Sequence, residues 1–197
     1  MRFDKPLGYD EVEAGGEYTP IELGGHKLVI KQIEEIQKDG YSYLKVSFDT
    51  AQDDVQPYYY TQQYRNDTRN TKKWGGVATI FPTDREGKTS KIFKQFCTST
   101  EKSNNSKISW GAGFSDSIVG KTIGGIFGEE EYLNANNEKK VARKLFWWRS
   151  TDSIADAEIP KKRELSDDDY DKWADSKLDA DGFMNIPDGI DEELPFN

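Results

Sequence analysis

The stretch Lys38-Asp39-Gly40 restricts this chain more than any other, because alternating segments flank it on both sides. Asp-Gly tolerates the positive φ that a tight hairpin turn needs. Before it, His26–Ile36 sets Leu28 and Ile30 among polar residues. After it, Tyr41, Tyr43 and Lys45 alternate with Leu44, Val46 and Phe48 up to residue 48. Period-two alternation predicts two half-buried antiparallel strands joined by a tight turn.

The remaining elements follow from similar signals. Residues 1–16 read as a polar, Gly-rich arm, Tyr18–Leu23 as a short first strand, and Gly24-Gly25 as a turn. Val77–Phe81 reads as a strand or a helix start, stopped by Pro82. Thr89 or Ser90 can cap a helix through Ile92, Phe93, Phe96 and Cys97, ended by Ser103-Asn104-Asn105-Ser106. Trp110–Phe114 is loop-like. Lys121–Tyr132 and Val141–Arg149 read as strands around an Asn134–Asn137 hairpin loop. In the second of these, Phe146 and Trp148 are expected to face the core and Trp147 the opposite side. Thr151–Ile159 reads as a short helix closed by Pro160. The expected fold is mainly β with a short helix: an OB-like five-stranded barrel, the partly open type used for oligonucleotides.

The stretch Tyr58–Trp74 fits neither periodicity. It holds five aromatics (Tyr58, Tyr59, Tyr60, Tyr64, Trp74) and four cations (Arg65, Arg69, Lys72, Lys73) in seventeen residues. Aromatic faces stack unpaired bases, and Lys and Arg neutralise phosphates. The competing reading is a solvated loop whose tyrosines partly plug the core. If the backbone is extended here, Tyr59 points away from Tyr58 and Tyr60.

Charge is divided along the chain. Residues 1–163 carry 25 Lys/Arg and 24 Asp/Glu, whereas residues 164–197 carry 2 and 12, a net of −10. Residues 61–107 hold ten cations and four acids, a local net of +6. A basic middle beside an acidic end points to nucleic acid and to a tail with its own task. From Lys161 onward aliphatics are too few to offset chain entropy, which predicts a flexible tail with at most one helical turn around Tyr170 and Trp173. The expected division is 1–163 for the folded domain and 164–197 for the tail.

Several chemistries find no material. Cys97 and His26 are the only cysteine and histidine, which leaves no intramolecular disulfide, zinc site or nucleophilic triad. Gly120-Lys121-Thr122 matches the end of a phosphate-binding loop, but Ser115 stands where that loop normally has glycine, and a strand-like segment follows. Asp116, Glu138 and Lys140 loosely match a nuclease arrangement, yet the last two flank an exposed turn. Glu129-Glu130-Glu131 on a strand point to alternate faces and cannot converge on a metal. No cofactor, metal or enzymatic activity is expected. No apolar run reaches the ~20 residues of a membrane helix, and the N-terminus has no signal-peptide core.

Two groups of residues carry a resemblance. Asp191-Glu192-Glu193-Leu194-Pro195-Phe196 is similar to the acidic, Pro-Phe-ended tail of bacterial and phage single-stranded DNA-binding proteins. Arg65…Lys72-Lys73-Trp74, Phe93…Phe96-Cys97-Thr98-Ser99-Thr100-Glu101-Lys102-Ser103-Asn104, and Gly120-Lys121…Phe127-Gly128-Glu129-Glu130-Glu131-Tyr132 resemble a family of uncharacterised proteins from phages of Gram-positive bacteria. The genes of that family sit among replication and recombination functions. Asn197 follows Phe196, whereas the bacterial tails usually end on Phe. This turns the expected tail reader from the host's usual proteins toward a phage partner.

The resemblance implies a phage single-stranded DNA-binding protein in the host cytoplasm, not secreted and with no membrane partner. The expected strand-binding residues are Tyr58, Tyr60, Tyr64, Arg65, Arg69, Lys72, Lys73, Trp74, Lys91, Lys94, Arg143 and Trp147. The tail residues Asp191, Glu192, Glu193, Leu194, Pro195 and Phe196 are expected to recruit replication or recombination proteins. Homo-oligomerisation stays open. So do two other functions: an adaptor that works through its tail, and a strand-annealing recombination protein.

Overall fold

The structure, a computed structural model, describes residues 19–38 and 40–175. The N-terminal arm and the tail residues Asp191–Phe196 lie outside the described residues. The expected hairpin is present. β1 (Gly24–Lys38) and β2 (Tyr41–Thr50) pair antiparallel from Lys38 opposite Tyr41 to Leu28 opposite Thr50. Gly40 takes φ +88°, the left-handed conformation the turn requires. Leu44, Val46 and Phe48 are buried on one face of β2. The β1 register shifts between Ile30 and Gln32, leaving Lys31 as a bulge. That extra residue lets Ile30 and Ile33, an odd spacing, both turn inward.

The chain enters β1 differently from expectation. Residues 19–23 are not a strand, and Gly24-Gly25 are not a turn but the first pairs of β1, opposite Phe127 and Ile126. Glycine is required at residue 25 by close approach: a Cβ there would lie 2.8 Å from Ile154 Cβ.

β3 (Val77–Ile80) pairs with β2, and β4 (Thr122–Leu133) pairs with β1 and with β5 (Lys139–Arg149). The order is β3-β2-β1-β4-β5 in one antiparallel sheet. The sheet is open: among the described residues no ladder joins β3 to β5, which stand as its two edges. A cavity of about 210 Å3 separates these edges, lined by Val77–Thr79 of β3 and Arg143–Phe146 of β5. Tyr60 and Ile92 also border it.

Four helices complete the described chain: α1 (Tyr59–Asn66), α2 (Lys91–Asn104), α3 (Phe114–Ile118) and α4 (Asp167–Asp175). α2 starts as its sequence predicts. Ser90 Oγ accepts from Phe93 N at 3.2 Å, and Asn105 ends the helix in the left-handed conformation. The loop-like Trp110–Phe114 stretch is instead a 3-10 turn leading into α3, and the expected helix after Thr151 is only a 3-10 turn at Thr151–Ser153. The core holds Phe48, Phe96, Phe127 and Trp148. The Trp148 ring centroid stands 5.1 Å from that of Phe96 and 5.8 Å from that of Phe48. Phe146 and Trp148 are buried as expected.

The described chain divides into two compact units, residues 19–128 with 143–160, and residues 129–142 with 161–175. In the second unit, Glu130 and Arg163 form a parallel bridge, Glu131 N donates to Arg163 O and Arg163 N donates to Glu129 O, both at 2.8 Å. α4 is longer than the single turn expected there. Ser166 and Asp169 cap its first turn reciprocally, Asp169 N donating to Ser166 Oγ and Ser166 Oγ to Asp169 Oδ2. Asp167, Asp168 and Asp169 complement the positive end of the helix dipole.

Candidate nucleic-acid interface

The Tyr58–Trp74 stretch is neither an extended strand nor a plain loop, because its first half is α1. This helix has no side-chain cap of its own, and Tyr58 before it sits at φ +54°. Its cap comes from the end of β2. Buried Asp49 accepts from Tyr60 N at 2.8 Å and from Thr50 N at 2.9 Å through Oδ1, and from Thr61 Oγ1 at 2.6 Å through Oδ2. Thr50 Oγ1 accepts from Tyr59 N at 2.8 Å. Two orphan amides of the first turn are thus satisfied by residues about ten positions upstream in sequence.

Helical geometry then distributes the tyrosines. Tyr60 is 7% exposed, and its ring meets Phe48 edge-on with centroids 5.5 Å apart. Its place in the core removes it from the expected strand-binding set. The expected divergence of Tyr59 from both its neighbours rested on an extended backbone, which α1 replaces. Tyr58 remains exposed, and Tyr64, one turn beyond Tyr60, is also exposed.

Tyr64 meets Trp74. Their ring centroids are 5.9 Å apart, and Lys72 Nζ stands 5.7 Å from the Tyr64 centroid. Trp74 is half-buried and fixed: its Nε1 donates to Phe48 O at 3.0 Å and to Gly76 O at 3.2 Å. Gly76 lets the Tyr60 ring and the Phe48 carbonyl lie close against the backbone here, since a Cβ there would stand 2.7 Å from Tyr60 Cδ2. The two rings flank an open groove of about 710 Å3 on the outward face of the β1–β2–β3 sheet. Its walls are Lys31, Gln32 and Glu34 of β1, Lys45 and Ser47 of β2, Val77 of β3, and Tyr64, Lys72, Lys73 and Trp74. Four lysines face one carboxylate. Glu34 pairs with Lys45 at 3.0 Å, while Lys31 and Lys73 carry no ion pair among the described residues.

The structure therefore brings Tyr64, Lys72, Lys73 and Trp74 together and places the other expected residues elsewhere. Arg65 is exposed but does not line the groove. The Arg69 fork is taken by Asp67, with three nitrogen–oxygen contacts of 2.7–3.1 Å. This chelation, followed by the Arg69 amide, holds the Asp67 carboxyl at about 2. Lys91 and Lys94 are exposed on α2. Arg143 Nη1 donates to Ile21 O at 2.7 Å and borders the cavity between the sheet edges. Trp147 is 39% exposed on β5, with the Arg149 guanidinium 5.9 Å from its ring.

Lys31 and Lys45 were absent from the expected set. Alternation had already set Lys45 on the outward face with Tyr41 and Tyr43. Lys31 was hidden because its exposure depends on the bulge. Cys97 is buried, and burial pushes its thiol up to about 11, so it offers no reactive thiolate. Among the described residues no three His, Cys, Asp or Glu side chains gather where they could hold a metal, and no helix is long and apolar enough to cross a membrane. No protein-family model matches this chain, and no curated protein matches it either.

Proposed function

We propose that this protein binds single-stranded DNA with little sequence preference in the groove between Tyr64–Trp74 and the lysines of β1 and β2. The carrying observation is the junction of two ring faces with four lysines in one open trough. Every base has a π-face, so stacking is indifferent to sequence, and lysines at a groove wall follow the backbone phosphates. Each stacked base contributes roughly 1–3 kcal/mol. We read the sheet as an OB-like barrel left open between β3 and β5. Support comes from the strand order β3-β2-β1-β4-β5, from α2 between β3 and β4, and from the groove lying on the face of strands 2 and 3, where such barrels bind oligonucleotides.

The acidic end of the chain fits the same reading. With a net of −10 over residues 164–197, it competes with DNA for a basic groove, and its Leu194-Pro195-Phe196 end supplies an anchor for replication or recombination partners. The test is a titration of labelled single-stranded and duplex DNA at two salt concentrations. Tight, salt-sensitive binding of the single strand is expected, with quenching of tryptophan emission. Equal affinity for duplex, or a salt slope near zero, overturns the proposal.

A further inference from the structure

The outward face of the sheet does not end at the groove. Strand parity that buries Leu44, Val46 and Phe48 turns Ser47, Lys45, Tyr43 and Tyr41 outward in a row. The register sets Ser47 opposite Val77 and Lys45 opposite Thr79, so the same face continues along β3. At the far end of this row, three rings meet. Tyr41 and Tyr43 are stacked, with centroids 6.1 Å apart and planes 24° apart, and Phe81 lies 6.2 Å from the first and 5.7 Å from the second. Tyr41 and Phe81 are nearly half exposed, 47% and 46%. A cluster that served only to stabilise the hairpin would gain by covering its rings, whereas Tyr41 and Phe81 leave nearly half of their surface to solvent.

We infer that Tyr41, Tyr43 and Phe81 form a second base-stacking platform, and that a single strand bound at Tyr64–Trp74 continues along β2, past Lys45, to reach it. This inference rests on the groove reading above. Ser47 and Tyr43 are four residues apart, about 13 Å along a strand at ~3.3 Å per residue. That span adds only a few nucleotides to the path. Lys45 lies between the two platforms, paired with Glu34 at the surface at 3.0 Å. Such an exposed pair is weak, so a phosphate can displace the carboxylate at little cost. The path accordingly has rings at both ends and a cation between them, the pattern of a strand track. An apolar protein partner would match the three rings but would gain nothing from Lys45.

Oligo(dT) length separates this inference from the groove reading. Anisotropy titrations of the full-length protein should use labelled oligo(dT) of about 4 and about 16 nucleotides, the limits of site size for one barrel. For the double variant Tyr41→Leu/Phe81→Leu, which keeps apolar packing and removes π-faces, the long oligonucleotide should bind about tenfold more weakly. The short one should bind within about twofold of wild type, because the groove alone holds it. Tyr41→Phe, which retains the ring, should bind both lengths as wild type does. If the double variant fails to fold by circular dichroism, Tyr41→Leu alone should show the same loss confined to the long oligonucleotide.

Equal binding of the long oligonucleotide by wild type and the Leu variants overturns the second platform and leaves the groove standing. Those rings would then be structural or would serve a protein partner. No binding of either length by wild type overturns both readings. A loss equal at both lengths also overturns the inference, since it would place the rings within the primary groove.

Discussion

At the residue scale, two tyrosines four positions apart in α1, Tyr60 and Tyr64, have opposite duties. Tyr60 is packed against Phe48 and close to Gly76, so Tyr60→Ala should lose about 3–5 kcal/mol of stability in urea unfolding, the usual cost of emptying an aromatic core site. Tyr64 is exposed and lines the groove. Tyr64→Ala should therefore leave stability within about 0.5 kcal/mol of wild type and weaken oligo(dT) binding about tenfold by anisotropy. Trp74 combines both duties, because its indole nitrogen is bonded to two core carbonyls while its ring borders the trough. Trp74→Phe should retain most of the DNA affinity and lose about 1 kcal/mol of stability, whereas Trp74→Ala should lose both. Full binding by a folded Trp74→Ala protein would remove the centre of the proposed site.

At the scale of elements, α1 shows why a helix can be invisible to periodicity. It lacks a side-chain cap, begins after a residue with positive φ, and buries only Tyr60 completely enough to count as core. Its position is set by Asp49 and Thr50, the last residues of β2. Asp49→Ala should strand three donors and cost about 3 kcal/mol or more, while Asp49→Asn, which keeps one acceptor oxygen, should cost less. In the second unit, Glu131 plays the comparable part for the segment after residue 160. Lys162 donates to it at 2.7 Å and Lys139 pairs with it at 2.9 Å, which together hold its carboxyl at about 2 against an ordinary 4.5. A folded pKa below the unfolded one stabilises the fold above pH 4.5, and this contribution is lost as pH falls from there through about 2. The urea midpoint of Glu131→Gln should therefore fall less steeply than that of wild type across that window.

At the scale of the whole molecule, the division of charge is the dominant property. Four groove lysines imply a slope of log affinity against log salt of about −2 to −3, at ~0.7 per neutralised phosphate. Deleting residues 164–197, with their net charge of −10, should tighten oligo(dT) binding at low salt and have less effect as salt screens the tail. Unchanged affinity after the deletion would end the idea of tail competition. The candidate site was half legible from residue types. Lys72, Lys73 and Trp74 stood adjacent in sequence, but nothing local said that Lys31 and Lys45 would join them from two neighbouring strands, or that Arg69 would be engaged by Asp67.

What the sequence determined by itself is whatever short-range chemistry settles. This includes the β1–β2 hairpin that turns at Gly40, the inward set Leu44, Val46 and Phe48, the start of α2 at Ser90, and the burial of Phe146 and Trp148. Each follows from one turn, one cap or one period of alternation within a few residues. Only the tertiary structure decided that Tyr58–Trp74 contains a helix, that Tyr60 belongs to the core and Tyr64 to the groove, and that the sheet leaves β3 and β5 unjoined. The physical reason is the same in each case. The deciding groups, the Asp49 carboxylate, the bare Gly76 backbone and the Lys31 bulge, lie far along the chain or depend on register. Their effect exists only once the strands that carry them have paired.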